Sequence, residues 1–261
     1  MAENDLIKVK GIVTRSVNYK DNDKIITLLT ADMGLISVYC HGARSNKSKY
    51  LTSSRLFCYS EFILTRKKDF YYVKEADYIE AFFDIVNSMD KLFLGQYFLE
   101  VVNEICVEGD RQDGLLRLLL NSLYALSKDI CEPLKIKAVF ELRSCVEMGV
   151  APDITSCRKC GKKGEALYLD LVYGDGICGN CLLKSGDGGP DSENVSSTFV
   201  GVSPSVGVAM QYVENTAVER VFSFTLTDEA FGDFCKICEG YLLNQVGKSF
   251  ITLDLYKEQI K

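Results

Sequence analysis

A chain of 261 residues can form one large domain or about two to three smaller ones, and its 47% hydrophobic and 25% charged residues are typical of a globular protein with a buried core. This composition excludes a disordered or fibrous chain. The N-terminus carries acids without an apolar run, so we expect no secretory signal. No segment is apolar for long enough to form a membrane-spanning helix, and we expect a cytoplasmic location.

Positive charge is concentrated in the first third of the chain. The net charge is −6 at pH 7, but residues 1–80 hold 13 Lys and Arg against 10 Asp and Glu, while residues 81–261 hold 17 against 26. Residues 33–60 contain four cations and no acid. A negatively charged partner is therefore expected at this segment and not elsewhere.

Residues 1–80 show the two-residue alternation of β-strands. Apolar residues alternate with Lys8 and Lys10, which predicts a half-buried first strand. Gly34 can take the positive φ that a tight hairpin between the second and third strands requires. Five strands without long helices between them predict a small antiparallel barrel. The predicted strands span residues 7–14, 24–30, 36–41, 57–65 and 70–79.

From about residue 85 the apolar residues recur at the three- and four-residue steps of helices. The predicted helices lie around residues 94–105, 116–123, 138–145 and 228–246. We expect the last of these helices to pack onto the earlier ones. A stretch rich in Gly, Ser and Asp at residues 184–204 predicts a flexible linker.

The whole pattern predicts an α+β multidomain protein. We expect a barrel domain at residues 1–80 and an α-helical domain at residues 81–261. The helical domain is expected to carry a metal-binding insertion at about residues 153–184, because a cysteine-rich segment interrupts the helical pattern there.

Two C-x-x-C motifs in that insertion predict a structural zinc site. Cys157 and Cys160 are separated from Cys178 and Cys181 by 17 residues, which is a spacing typical of four-cysteine zinc sites. Two residues between ligands let one turn direct both sulfurs at the same ion, and four thiolates leave no open position for catalysis. We expect Gly161 and Gly179 to supply the unusual backbone angles of these turns. The alternatives are four unrelated cytosolic cysteines or a redox disulfide pair.

A third C-x-x-C motif, Cys235 to Cys238, lies inside the predicted helix at residues 228–246 and has no glycine turn. Residues three apart share one helix face, so both thiols are expected on the buried side among aromatic neighbours. We interpret this pair as core cysteines rather than metal ligands.

The basic stretch from His41 to Tyr50 mixes cations, hydroxyls, glycine and an aromatic ring in an exposed connection between strands. Such a surface can neutralise phosphates while Tyr39, Tyr50 or Tyr59 offer rings for base stacking. The alternative is an ordinary solvated loop. A second cluster, Arg66 to Lys68, lies at the turn between strands four and five. The candidate nucleic-acid residues are Lys24, Tyr39, His41, Arg44, Lys47, Lys49, Tyr50, Arg55, Arg66, Lys67 and Lys68.

Several enzyme classes are excluded by missing residues. Gly247-Lys-Ser249 resembles the end of a phosphate-binding loop, but Leu242 stands where that motif needs glycine. His41 is the only histidine, no G-x-S-x-G turn is present, and no H-x-E motif precedes the cysteines, which argues against a serine hydrolase and a zinc deaminase. We therefore expect no enzymatic activity and no catalytic residue.

The order of these parts resembles that of the bacterial RecO family of DNA repair and recombination mediators. The shared features are a five-stranded barrel with Gly42-Ala-Arg44 and Lys47-Ser48 after strand three, a helical domain, and a four-cysteine knuckle after Gly149-Val-Ala-Pro152. The patterns Asp23-Lys-Ile-Ile-Thr-Leu-Leu-Thr and Gly34-Leu-Ile-Ser also match, so the similarity covers nearly the whole chain.

The resemblance implies an OB-fold that binds single-stranded and double-stranded DNA and promotes strand annealing. It also implies action with RecR to load RecA onto strands covered by single-strand-binding protein, whose acidic C-terminal tail the helical domain grips, and hence a nucleoid-associated location. Arg44 and Lys47 carry the DNA role by motif match, whereas Lys24, His41, Lys49 and Arg55 rest on position and charge. The chain departs from the family in its acidic pI of about 5.1, which predicts weak binding with steep salt dependence.

A second hypothesis from a different class remains open. The chain could be a zinc-containing adaptor that binds only protein through its barrel and helices. Binding of labelled single-stranded DNA at low salt separates the two hypotheses, because only the mediator binds the oligonucleotide directly.

Overall fold

The computed structural model describes residues 6–107, 109–163, 166–184 and 198–260. The chain divides into two compact units, which are residues up to Ile130 together with those from Phe250 onward, and Cys131–Ser249. Among the described residues, none of the helices has the length and apolar character needed to cross a bilayer. The domain boundary near residue 80 stays a prediction.

The first unit contains a closed five-stranded barrel with the strand order β1-β2-β3-β5-β4. Its strands are β1 (Leu6–Tyr19), β2 (Asp23–Thr30), β3 (Gly34–Cys40), β4 (Cys58–Lys67) and β5 (Phe70–Ala81). The OB-like barrel and its strand count are confirmed. The expectation that it is antiparallel throughout is wrong, because β3 closes on β5 in parallel.

Inward-facing side chains of the strands fill the barrel. Ile26, Leu28, Val38 and Leu64 have no exposed surface, and each such buried aliphatic side chain contributes roughly 1.5–3 kcal/mol. Gly34 joins β2 to β3 with a φ of 60°, as its sequence position predicted. A Cβ atom there would lie 2.5 Å from the Val107 carbonyl oxygen, so the hairpin needs glycine for space as well as for conformation.

Three helices complete the first unit. They are α1 (Met89–Ile105), α2 (Asp113–Ser127) and α7 (Ile251–Gln259), and a short 3₁₀ helix, Phe83–Asn87, precedes α1. Helix α1 packs against α7, where the Thr252 hydroxyl donates to Glu100 Oε2 at 2.7 Å. Helices α1 and α2 also contact β1 and β2 respectively.

The second unit combines helices with a small sheet. Its helices are α3 (Pro133–Glu147), α4 (Gly179–Lys184), α5 (Pro204–Asn215) and α6 (Asp228–Val246), with a 3₁₀ turn at Val218–Arg220. Its strands β6 (Leu167–Asp170), β7 (Gly176–Cys178) and β8 (Phe199–Val202) form a sheet in the order β7-β6-β8. Helix α6 has the predicted bounds and packs on α3, as expected.

The predicted linker at residues 184–204 is only partly testable, because residues 185–197 lie outside the described residues. The predicted C-terminal end of the linker, at residue 204, is wrong. Residues Phe199–Val202 form β8, which pairs with β6, and α5 begins at Pro204. Hydrogen bonding to a central strand overrides the loop-like local composition here.

Candidate metal centre and nucleic-acid interface

The four cysteines of the two C-x-x-C motifs converge in the second unit. The sulfurs of Cys157, Cys160, Cys178 and Cys181 all lie within 4.8 Å of one another, and Cys160 Sγ is 3.7 Å from Cys178 Sγ. A tetrahedral zinc ion bound at about 2.3 Å holds its sulfurs roughly 3.8 Å apart. A disulfide would need about 2.05 Å. The cluster can therefore hold a metal ion, as the spacing predicted.

Backbone hydrogen bonds shape the first knuckle. The Gly161 N–H donates to the Cys157 carbonyl at 2.9 Å, and the Cys157 N–H donates to the Lys162 carbonyl at 2.9 Å. Gly161 takes a φ of 72°, in agreement with its predicted role. The same role predicted for Gly179 is wrong, because Gly179 begins α4 and its φ is not positive.

The electrostatics of the cluster favour a cation. Burial raises the pKa of the Cys157 thiol, but N–H groups of Cys178, Cys160 and Lys159 outweigh burial and lower that pKa to about 6. Hydrogen bonds with Cys160 and Cys178 raise the pKa of Cys181 to about 12. Four adjacent thiolates therefore need a bound cation to be charged together, and a tetrahedral four-sulfur donor set suits zinc in a structural role.

The third C-x-x-C motif contributes to packing. Cys238 is fully buried and Cys235 is half-buried, with its sulfur 3.8 Å from the Leu134 carbonyl oxygen. Neither belongs to the metal-capable cluster of the described residues. The core interpretation is confirmed for Cys238 and holds only in part for Cys235.

A group of aromatic rings lies on the outer surface of the barrel, where Tyr19 and Phe70 are exposed and Tyr39 and Tyr72 are half-buried. Tyr39 in β3 pairs with Ile25 in β2 and with Tyr72 in β5, and its ring centroid lies 5.4 Å from that of Tyr72 and 5.7 Å from that of Tyr19. Phe70, two residues before Tyr72, is 63% exposed. We call Tyr19, Ile25, Tyr39, Phe70 and Tyr72 the tyrosine face. These five residues lie along an open groove of about 350 Å³.

Cations approach the rings of this face. Lys20 Nζ lies 5.3 Å from the Tyr19 centroid, and Lys67 Nζ lies 5.6 Å from the Tyr72 centroid. Such cation–π contacts place positive charge beside aromatic surface that remains accessible to solvent. The combination of open rings and adjacent cations is the one that single-stranded nucleic acid requires.

Asp23 holds one edge of the tyrosine face in place. Its carboxylate accepts hydrogen bonds from the Tyr39 hydroxyl, the Gly42 N–H at 2.8 Å and His41 Nδ1 at 2.9 Å. The Gly42 N–H and then the Tyr39 hydroxyl lower the pKa of Asp23, while the bond to Asp23 raises the pKa of Tyr39 to about 12. Tyr39 is therefore a neutral phenol with a fixed ring.

Comparison with known proteins decides the family. The model of the Recombination protein O N-terminal domain matches residues 1–82, and that of the Recombination protein O C-terminal domain matches residues 86–254. The chain belongs to the Recombination protein O family. The predicted RecO resemblance is thereby confirmed over nearly the full length.

Named relatives of the Recombination protein O family agree with this result. A DNA repair protein RecO from Acetivibrio thermocellus is 34% identical over 252 residues, covering 96% of each chain. Another from Clostridium acetobutylicum is 28% identical over 258 residues, covering 97% of this chain and 99% of the relative. A third, from Caldicellulosiruptor saccharolyticus, is 33% identical over 67% of this chain and 72% of its own.

In this RecO family member, the Arg44 guanidinium donates hydrogen bonds to the barrel itself. Its Nη1 donates to the carbonyls of Lys20 at 3.2 Å and Asp21 at 2.8 Å, which ties the basic stretch to the turn between β1 and β2. Partial burial lowers the pKa of the Lys24 ammonium, and Arg55 and Arg44 lower it further. These three predicted cations therefore form one local positive field.

The other predicted cations are exposed at two edges of the barrel. Lys49 Nζ donates to the Lys74 carbonyl at 3.0 Å, and Arg66 lies over the Tyr71 ring at 5.7 Å. Lys47 and Lys68 are exposed. Lys67 is the predicted cation that directly borders the tyrosine face.

The stacking role predicted for Tyr50 does not fit its position. The side chain is 8% exposed and packs in the barrel core, and its hydroxyl donates to the Lys74 carbonyl at 2.6 Å. Lys49 also lies over the ring at 5.1 Å. The loop after β3 folds back over the barrel end, so the ring serves packing and is not available to a base.

The sequence did not predict four residues that line the groove of the tyrosine face. Tyr19, Lys20, Phe70 and Tyr72 come from the two ends of the barrel sequence, and the closure of β5 on β3 brings them beside Tyr39. A usable signal was the alternation of Phe70 and Tyr72 in β5, which places both rings on one side of the strand.

Proposed function

We propose that this RecO family member is a non-enzymatic DNA repair and recombination mediator that binds single-stranded DNA on the tyrosine face. The observation that carries the proposal is the set of three adjoining tyrosine rings with Lys20 and Lys67 beside them. Each stacked base is worth about 1–3 kcal/mol, independent of sequence. Binding by a few rings and cations is weak and falls steeply with salt.

Weak, sequence-tolerant contacts suit strand annealing. A duplex gains roughly 1.4 kcal/mol for each stacked base-pair step, so a growing duplex of several steps outweighs the few bases that the tyrosine face can hold. The protein would hold one strand until a complement arrives and then release it. No covalent step is needed, and His41, the single histidine, donates to Asp23 in this arrangement.

Family membership supports a proposal for the wider role. We infer cooperation with RecR in loading RecA on strands covered by single-strand-binding protein, contact with the acidic tail of that protein, and action in the cytoplasm at the nucleoid. Binding of double-stranded DNA through the cation group of Lys24, Arg44 and Arg55 belongs to the same proposal, because phosphate contacts do not require open bases. The zinc ion, held by the four cysteines, would stabilise the second unit.

A titration of labelled single-stranded oligonucleotide by fluorescence anisotropy tests this proposal. We expect binding at low salt that weakens at moderate salt, a loss of about tenfold or more in Tyr39→Ala/Tyr72→Ala, and a smaller loss in Arg44→Ala/Lys47→Ala. The matched control is Tyr78→Ala/Tyr124→Ala, because both rings are exposed and lie outside the tyrosine face. Wild-type protein that does not bind at low salt would sink the proposal.

The second candidate is a zinc-containing adaptor that binds protein without DNA. The net charge of −6 favours it, because a negatively charged molecule is repelled by phosphates outside its local positive field. If the oligonucleotide fails to bind while RecR or single-strand-binding protein is retained, the adaptor explains the molecule better.

A further inference from the structure

The first zinc knuckle carries three lysines that the barrel function does not use. Lys159, Lys162 and Lys163 are exposed within residues 157–163, which we call the basic knuckle. Consecutive Cα atoms are about 3.8 Å apart, and the hydrogen bonds around Gly161 fold this segment into a turn. The Cα atoms of the three lysines therefore lie within about 15 Å of one another, a span that one elongated anionic ligand can cover.

An exposed tyrosine adjoins the basic knuckle. Tyr173, in the turn between β6 and β7, is 75% exposed, and the Arg158 Cζ atom lies 5.9 Å from its ring centroid. Arg158 is held there by Asp170, whose Oδ2 lies 3.3 Å from Nη1, and by the Phe199 ring at 6.0 Å. The guanidinium covers one side of the Tyr173 ring, and the large exposed fraction leaves its other side open to solvent.

The three lysines have two explanations: they compensate the charge of the cysteine thiolates, or they bind an anionic ligand. The surrounding charges help to compare the two. The carboxylates of Asp170 and Asp175 lie 3.3 Å and 3.6 Å from Arg158 Nη1 and pair with that guanidinium. Four thiolates around a divalent ion keep a net negative charge, and nearby lysines can compensate it. That explanation accounts for the lysine charges but gives no reason for an exposed ring beside them.

We propose that the basic knuckle and Tyr173 form a second nucleic-acid contact, in which the lysines meet phosphates and Tyr173 stacks on a base. The arrangement repeats that of the tyrosine face, where a cation lies over a ring that solvent can still reach. An acidic peptide could also bind the lysines, but its carboxylates would not stack on the open ring. Single-stranded nucleic acid therefore fits the site better. The ligand class rests on the proposed function, whereas the site lies wholly within the second unit.

Photocross-linking of the full-length, zinc-loaded protein tests the site directly. A single-stranded oligonucleotide that carries 5-iodouracil would be irradiated with the protein, and the cross-linked peptides would be mapped by mass spectrometry. We expect cross-links at Tyr173 as well as on the tyrosine face. Tyr173→Ala should remove the former and lower affinity about fivefold or more, the loss of one weakly stacked base.

The lysines are tested by salt dependence. In Lys159→Ala/Lys163→Ala, the slope of log affinity against log salt should become shallower by about 1.4, because two phosphate contacts to a single strand are lost. The matched control is Arg220→Ala/Lys236→Ala, two exposed cations of the same unit. Zinc content, measured for every variant, must stay at one ion per chain, so that a lost fold is not mistaken for a lost contact.

The outcomes separate this inference from the proposed function. Cross-links on the tyrosine face alone, with the Tyr173 and lysine variants unchanged, overturn the inference and leave the barrel function standing. Cross-links at Tyr173 alone support the inference and contradict the barrel function. Binding of a labelled acidic peptide by the lysines, without any cross-link to DNA at Tyr173, overturns the inference in favour of a protein partner.

Discussion

At the scale of single residues, Asp23 links the tyrosine face to the basic stretch. Its carboxylate is 5% exposed and accepts from Tyr39, His41 and Gly42. Arg44 performs a similar task from the other side, because it donates to the turn that follows Tyr19. Both residues therefore hold the surroundings of the tyrosine face in place and also contribute charge there.

Asp23→Asn should weaken single-strand binding although it removes a negative charge. The amide cannot accept all three hydrogen bonds, so the Tyr39 ring loses its fixed orientation, and we expect a loss of about threefold or more in affinity by anisotropy. Asp21→Asn removes the same charge from an exposed neighbour and serves as the control. Equal or stronger binding by both variants would show that only charge matters.

The pH dependence of stability provides a second measurement of Asp23. Its pKa is lowered in the folded protein, so its stabilising contribution is present above the unfolded pKa near 3.9 and is lost as pH falls through the folded value. Urea unfolding should therefore show a steeper loss of stability below about pH 4 in wild type than in Asp23→Asn. Identical acid profiles would contradict the hydrogen bonds assigned to this carboxylate.

Arg44→Lys separates positioning from charge. Lysine keeps the positive charge but lacks the fork that reaches the Lys20 and Asp21 carbonyls together. We expect Arg44→Lys to bind single-stranded DNA nearly as weakly as Arg44→Ala, whereas the control Lys47→Arg stays within about twofold of wild type. Full binding by Arg44→Lys would reduce Arg44 to a phosphate contact.

At the scale of elements, the four-cysteine cluster joins a turn, a strand end and a short helix. Cys157 and Cys160 lie on the basic knuckle, Cys178 ends β7, and Cys181 lies in α4. These elements are short, so a metal ion bound by the four cysteines would supply part of the energy that orders them.

Cys160→Ser should release the metal and loosen the second unit. Cys160 is exposed, so the substitution removes a ligand with little loss of packing. We expect zinc content to fall well below one ion per chain and protease cleavage within residues 153–184 to increase, as it should in wild type with a chelator. Cys131→Ser, at a half-buried cysteine of the same unit, should retain zinc. Retained zinc and unchanged cleavage in Cys160→Ser would contradict the assigned site.

The packing of α3 on α6 depends on a buried lysine. Lys137 Nζ lies 2.8 Å from Glu141 Oε1 and 2.7 Å from Glu239 Oε2, and burial, which lowers the pKa of Lys137, is outweighed by these carboxylates, which raise it. Lys137→Met should destabilise the second unit by about 3–5 kcal/mol, because two carboxylates lose their contact with the buried ammonium. Lys236→Met, on the exposed side of α6, should cost less than about 0.5 kcal/mol in the same denaturation experiment.

At the scale of the whole molecule, features set by nearby residues could be predicted from the sequence, whereas contacts between distant segments could not. The bounds of α6 follow from Thr227, whose hydroxyl accepts from the Ala230 N–H, and from Gly247 with a φ of 67°. The spacing of the two C-x-x-C motifs is typical of a four-cysteine metal site, so the cysteine cluster could be predicted as well. Each of these signals lies within a few residues along the chain.

The tyrosine face depends on contacts between segments that are distant in the sequence. Tyr19 and Tyr72 become neighbours of Tyr39 through barrel closure, and the parallel pairing of β3 with β5 has no local signature. Tyr50 was misplaced for the same reason, because the fold of the loop over the barrel end buries a ring that composition suggests is exposed. Composition pointed to the barrel domain, and topology decided which rings lie together on its surface.

We propose that single-stranded DNA stacks on the tyrosine face, and this stacking can be observed at each ring. Fluorine NMR of protein labelled with 3-fluorotyrosine, titrated with oligothymidine and assigned by Tyr-to-Phe variants, observes each ring separately. We expect the resonances of Tyr19, Tyr39 and Tyr72 to shift together and saturate, while buried Tyr50 stays unchanged. Saturable DNA binding that leaves those three resonances in place would contradict the claim.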